Sequence, residues 1–188
     1  MYKQDFFPSR FFTFDDAIKH EEIMKVLNTI KKDTENLAVV STGHGGPTYK
    51  TNYLQKELHG ELFNPIIKHL NKLLFENRVS VEVEEAPWYA EYGEYDFHEP
   101  HIHHETCIIS VRGNSFRYSG IICLSNFGET SFINPNTSSF VGSIMTIPSA
   151  YNRVILFPSN IHHYVAPHGV GNKVRAVFSF NCILKMGT

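Results

Sequence analysis

Val79-Ser80-Val81-Glu82-Val83-Glu84 alternates a β-branched apolar residue with a polar one at every step. That is the period of a strand with one face on a core and the other in water. It also marks a change of regime along the chain. Downstream, short apolar runs recur near 106–112, 118–124, 144–147, 153–157 and 173–183, separated by Gly, Pro, Asn and Ser, the pattern of an antiparallel barrel or sandwich. Upstream the period is helical. Ile23, Leu27 and Ile30 recur at helix spacing behind Asp15 and Asp16, which are placed to cap it, with Lys31 and Lys32 at the end where cations suit the helix dipole. Asn64 reads as an N-cap and Pro65 as a first helical residue, followed by Ile66, Ile67, Leu70, Leu73 and Leu74 on one face. Between the two helices, Thr42-Gly43-His44-Gly45-Gly46-Pro47 reads as a loop.

Two helices followed by roughly eight strands predict a mostly β fold with α. The expected architecture is a double-stranded β-helix, a cupin-like jelly-roll barrel, with the N-terminal helices packed on one face. At 188 residues the chain is expected to form a single domain, with a helical N-terminal part over 1–78 and the jelly roll over 79–188.

Net charge is −2 and no basic stripe runs along the sequence, so a nucleic-acid partner is not expected. The first residues carry Asp5 and Pro8 where an export signal needs a continuous apolar stretch. The longest apolar runs, such as Val154-Ile155-Leu156-Phe157, fall far below the ~18 residues of a membrane span. A cytoplasmic protein without membrane association is the expectation, and apolar strand edges are compatible with a homodimer. Cys107, Cys123 and Cys182 are odd in number and sit among apolar residues, as reduced core thiols do.

The unusual count is eleven histidines, seven of them between 98 and 168. Imidazole is the commonest protein ligand for metals. In Pro100-His101-Ile102-His103 the two histidines are two apart, and on an extended strand both would face one ion. A third donor is available from Ile161-His162-His163-Tyr164, where only one of the adjacent pair can share a face with the others. Three protein donors leave positions open on an octahedral metal, which favours catalysis. Arg175 lies twelve residues beyond His163, inside a strand that is apolar on both faces. An arginine there either emerges at a sheet edge or binds a buried anion through its planar fork.

In this order, Trp88, Pro100-His101-Ile102-His103, Ser119-Gly120-Ile121-Ile122-Cys123-Leu124, Leu156-Phe157-Pro158-Ser159 with His163, and Arg175 leading into Phe178-Ser179-Phe180-Asn181 resemble the iron(II)- and 2-oxoglutarate-dependent oxygenases. Within them they are most similar to a short prokaryotic and phage-encoded group. The resemblance covers residues 86–183. It implies iron(II) held by His101, His103 and His163, and Arg175 paired with the far carboxylate of 2-oxoglutarate. A small-molecule or peptide substrate would be hydroxylated with release of succinate and CO2. The wider superfamily carries Asp or Glu where this chain has His103, so Glu105, at His-x-Glu spacing from His103, is the leading alternative donor, ahead of Asp96 and Glu99. Residues 111–117 read as extra length that forms a hairpin at the barrel rim. Two other functions fit the histidines: a cupin-like three-histidine dioxygenase or isomerase with no use for Arg175, and a non-catalytic metal- or carbohydrate-binding module.

Overall fold

Successive residues of several strands are apolar, and the computed structural model shows where each parity goes. It describes residues 2–6, 9–31, 38–40, 49–53, 56–76, 78–85, 87–110, 115–134, 144–169 and 171–186. The Thr42–Pro47 loop and residues 111–114 of the expected rim hairpin lie outside these.

The elements in chain order are β1 (Tyr2–Phe6), β2 (Ser9–Phe14), α1 (His20–Lys31), β3 (Ala38–Val40), β4 (Tyr49–Tyr53), α2 (Lys56–Phe75), β5 (Val79–Val83), β6 (Trp88–Tyr92) and β7 (His98–His101). They continue with β8 (Ile108–Ser110), β9 (Ser115–Cys123), β10 (Glu129–Ile133), β11 (Ile144–Pro148), β12 (Val154–Pro158), β13 (His163–Val165) and β14 (Arg175–Met186). The larger sheet runs β1-β2-β12-β9-β14-β6-β4-β3, with β5 against β14 and β8 against β9. The smaller runs β11-β10-β13-β7. Every pairing is antiparallel. The fold is a mostly β jelly roll with two helices, and its two sheets face each other without closing into one barrel.

The larger sheet is covered on both sides, which explains its doubly apolar strands. Phe12, Ile122, Leu156 and Phe178 pack in one cluster with Ile23 and Val26 of α1 and Phe63, Ile66, Leu70 and Leu74 of α2. Their neighbours Phe11, Ile121, Ile155 and Val177 pack in a second cluster with Phe132, Met145, Ile147 and Val165 of the smaller sheet. Because side chains alternate across a strand, parity decides which layer each residue joins. Arg175, Ser179 and Asn181 share the parity of Val177, so they face the space between the sheets and not the helices.

Three expectations about the N-terminal part need correction. Residues 1–78 are not solely helical: β1 to β4 all come from this segment and join the larger sheet. Nor does α2 begin at Asn64 and Pro65. It starts at Lys56 and carries Pro65 in its interior, at a cost of about 3 kcal/mol for the lost hydrogen bond and ring clash. The stripe Phe63, Ile66, Leu70 and Leu74, fully buried at spacings of three and four, holds the proline in the helix. Asp15 and Asp16 likewise do not cap α1, which begins at His20. Asp15 is paired instead with Arg153, with contacts of 2.6 and 3.1 Å, and Asp16 turns the chain at φ 49°. The three cysteines are free thiols, with Cys123 and Cys182 buried.

Gly120 shows how tightly the helix-side layer is packed. It is paired in register with Phe180, and a Cβ on it would lie 2.1 Å from Cζ of that ring. Gly120→Ala is therefore expected to destabilise the protein by about 1–3 kcal/mol, the usual cost of overpacking, read as a lower midpoint in urea unfolding with an unchanged m-value.

Candidate metal centre

The space between the sheets collects the polar residues that the sequence singled out. His163 enters from β13 and is 4% exposed; His162, of the other parity, is exposed. His101 closes β7 and pairs in register with His163. Strand periodicity predicts His103 beside His101 on one strand; instead β7 ends at His101 and His103 lies beyond it. It is brought back by the loop, whose His103 N–H donates to Ser159 O at 2.9 Å.

The three histidines converge, each offering one nitrogen, with these nitrogens all within 4.8 Å of one another. Their outer nitrogens are committed. His101 Nδ1 lies 2.7 Å from Glu99 O, His163 Nδ1 3.0 Å from Ile161 O, and His103 Nδ1 2.5 Å from Asn181 Oδ1. All three partners are acceptors, so each Nδ1 carries the proton and each Nε2 presents a lone pair. His101 Nε2 and His103 Nε2 stand 3.3 Å apart. Two lone pairs at that distance repel unless a proton or a metal ion lies between them.

Burial disfavours the proton. Desolvation pulls His101 below the ordinary imidazole range, His103 down to about 4, and His163 well below the ordinary value. Neutral imidazoles with free Nε2 atoms are the form that binds a metal. A fourth imidazole, His98, stacks on His101 with ring centroids 3.8 Å apart and is pushed down to about 3, chiefly by desolvation.

Glu105 is exposed and does not belong to this group of converging ligand atoms, nor do Asp96 and Glu99. Asp96 accepts from Gly93 N–H at 2.7 Å instead, a local turn contact. His104 leans toward Glu84, with Nε2 3.7 Å from its carboxylate, and His168 packs on Phe127.

Arg175 lies in the same small cavity, together with Trp88, Tyr92, His98, Thr130 and the three histidines. It is 1% exposed, so it does not emerge at a sheet edge. Its Nη2 donates to Thr130 Oγ1 at 2.7 Å, and the guanidinium sits 5.0 Å from the centroid of the Tyr92 ring. Nε and Nη1 are buried without a hydrogen-bond partner. A buried cation with two unpaired donors is costly, and an anion placed in the cavity would remove that cost. Gly128, at φ 78°, leaves room for the stem: a Cβ there would lie 2.6 Å from Arg175 Cδ.

In the sequence Asn181 reads as a polar strand residue that either assists the arginine or satisfies local hydrogen bonds; it touches His103 instead. Thr130 lies in β10, a strand that the apolar runs did not mark. Tyr118, another polar residue of an apolar strand, donates to Arg10 O at 3.0 Å and packs in the helix-side cluster rather than the cavity.

No protein-family model matches this chain, and no curated protein matches it. Solved structures match its fold. A Pseudomonas putida prolyl-4-hydroxylase superposes with a TM-score of 0.58 at 11% identity, over 94% of this chain and 93% of that one. The viral collagen prolyl hydroxylase vCPH from Paramecium Bursaria Chlorella virus-1, in its 2-oxoglutarate complex, gives 0.57 at 14% identity over 95% and 96%. HygX from Streptomyces hygroscopicus, with nickel, 2-oxoglutarate and hygromycin B bound, gives 0.60 at 10% identity over 94% and 82%. The shared feature at these identities is the jelly-roll fold.

Proposed function

We propose that this chain, whose jelly roll is that of the iron(II)- and 2-oxoglutarate-dependent oxygenases, is itself such an oxygenase and hydroxylates a small-molecule or peptide substrate. The observation that carries the reading is Arg175. Its buried, half-satisfied guanidinium opens on the cavity that holds the three converging imidazoles. A three-histidine metalloenzyme that does not use 2-oxoglutarate has no use for a buried cation there, and a closed metal- or carbohydrate-binding module has none either.

In this reading His101, His103 and His163 hold the metal through Nε2. Bound iron(II) would supply the oxidation of a substrate C–H bond by dioxygen, coupled to conversion of 2-oxoglutarate to succinate and CO2. The remaining work belongs to the protein. Arg175 takes the distal carboxylate of 2-oxoglutarate through its free N–H groups, a charge-assisted pairing that sets the orientation of the cosubstrate. Thr130 fixes the guanidinium, and Tyr92 flanks it. Trp88, Ile121, Val165 and Val177, which line the same cavity, keep water from the reacting atoms.

The test is an anaerobic titration of 2-oxoglutarate into iron(II)-loaded protein, followed by aerobic assay of succinate. The expected results are a weak visible charge-transfer band that saturates with 2-oxoglutarate, and slow succinate formation even without a primary substrate. Bound iron with neither band nor succinate would sink the reading.

A further inference from the structure

The three histidines are not held in the same way, and the difference singles out one of them. His101 and His163 each direct Nδ1–H to the backbone carbonyl two residues earlier, Glu99 O and Ile161 O. Those contacts come with the local chain and need no other side chain. His103 has no such partner. It lies beyond the end of β7, and its Nδ1 is met by side chains from two strands of the opposite sheet: Asn181 Oδ1 at 2.5 Å and Ser119 Oγ at 2.9 Å.

These contacts belong to a buried row. Ser119 and Asn181 are cross-strand partners in β9 and β14, and Ser159 follows β12, which also pairs with β9. Ser119 and Ser159 are fully buried and Asn181 is 5% exposed. Ser119 Oγ lies 3.1 Å from both Ser159 Oγ and Asn181 Oδ1. The row ends at the surface, where Asn181 Nδ2 donates to Glu85 Oε2 at 3.1 Å.

This chain of contacts has a direction. The Glu85 carboxylate oxygen can only accept, which turns the Asn181 amide so that Nδ2 faces it. The amide oxygen must then face inward, and it too can only accept. His103 is thereby obliged to carry its proton on Nδ1 and its lone pair on Nε2, toward His101 and His163. The Trp88 ring, 5.5 Å from the His103 ring, closes the remaining side.

We infer that Asn181, oriented by Glu85 and braced by Ser119, is the positioning residue that makes His103 a metal ligand. This rests on the three-histidine metal site proposed above. It also explains how a histidine outside the strand can serve where strand geometry alone would not hold it. The orientation that local backbone provides for two ligands is provided for the third by an amide side chain reaching across the sandwich.

The experiment uses Co(II) as the probe, on the full chain. In Co(II)-loaded wild type, three paramagnetically shifted, solvent-exchangeable proton resonances are expected, one for each Nδ1–H. Asn181→Leu is expected to lower Co(II) affinity by about 10- to 100-fold, the usual cost of losing such a partner. One of the three resonances should move or vanish by fast exchange, while the other two stay. Glu85→Ala, at an exposed position, is expected to perturb the same single resonance with a smaller loss of affinity, and it serves if Asn181→Leu does not fold. The inference is overturned if a folded Asn181→Leu protein keeps wild-type affinity and all three resonances, or if Glu85→Ala perturbs all three equally. Failure of wild type to bind Co(II) would instead overturn the metal site on which the inference rests.

Discussion

Arg175→Met is expected to weaken 2-oxoglutarate binding by about thirtyfold to several thousandfold, the equivalent of roughly 2–5 kcal/mol for truncating one partner of a buried charged pair. Metal affinity should not fall, because none of the three imidazoles hydrogen-bonds to the guanidinium among the described contacts and removing a cation from the same cavity lessens repulsion of a metal dication. The same substitution should act in the opposite direction on stability. Without an anion, wild type buries a cation whose Nε and Nη1 have no partner, and burial already pulls the guanidinium pKa downward. Exchanging buried ionic groups for apolar side chains of similar volume is often neutral to stabilising, and here no partner charge is left behind. Calorimetric titration of 2-oxoglutarate and urea unfolding on the same two proteins provide the check. Loss of binding with equal or higher stability identifies a residue kept for its ligand. Loss of both, or of stability alone, would make Arg175 a structural residue. Arg175→Lys should fall between, since it keeps the charge but loses the planar fork.

The residues that were legible in the sequence are those whose position follows from short-range periodicity. The alternation from Val79, the parity that separates His162 from His163, and an arginine among apolar neighbours at 175 each needed only a local period and a chemical type. The residues that were not legible depend on contacts made across the fold. Pro65 reads as a helix start because proline is best tolerated there, and only the buried stripe from Phe63 to Leu74 shows why it sits inside. His103 was expected beside His101 on one strand. It reaches the site through a hydrogen bond to Ser159, more than fifty residues away, which no local pattern encodes. The contacts of Asn181 were unreadable for the same reason: its partners His103, Ser119 and Glu85 lie 78, 62 and 96 residues from it. Glu105, the alternative donor suggested by its spacing to a histidine, is exposed and lies outside the converging group, a property the spacing does not carry.

In the metal-free protein, stability is expected to fall steeply on acidification below about pH 6.5, the pKa of an imidazole in the unfolded chain. The sign follows from four imidazoles of the cavity, His163 buried and His98, His101 and His103 partly buried. In the folded state burial holds His103 down to about 4 and His98 to about 3, and His101 and His163 are also lowered. Below pH 6.5 the unfolded chain therefore binds more protons than the folded one, so stability drops as pH drops. For His103 the loss runs from about 6.5 to about 4, and for His98 it continues to about 3. The four groups act in the same direction, so their losses reinforce one another as the pH falls. Saturating Co(II) at neutral pH should add stability by mass action, and that increment should disappear across the same acid range because ligation requires neutral imidazoles. Thermal unfolding between pH 4 and 8, with chelator and with Co(II), measures both effects. His163→Leu removes the most deeply buried imidazole and should make the acid limb of the metal-free protein shallower, with the contributions of His98, His101 and His103 remaining, while abolishing the Co(II) increment. A limb as steep as wild type in that variant would show that the acid sensitivity arises elsewhere. A shallower limb would mean that the protein carries, in its metal-free state, a cluster of neutral imidazoles that costs acid stability and is offset only when a cation joins their Nε2 atoms.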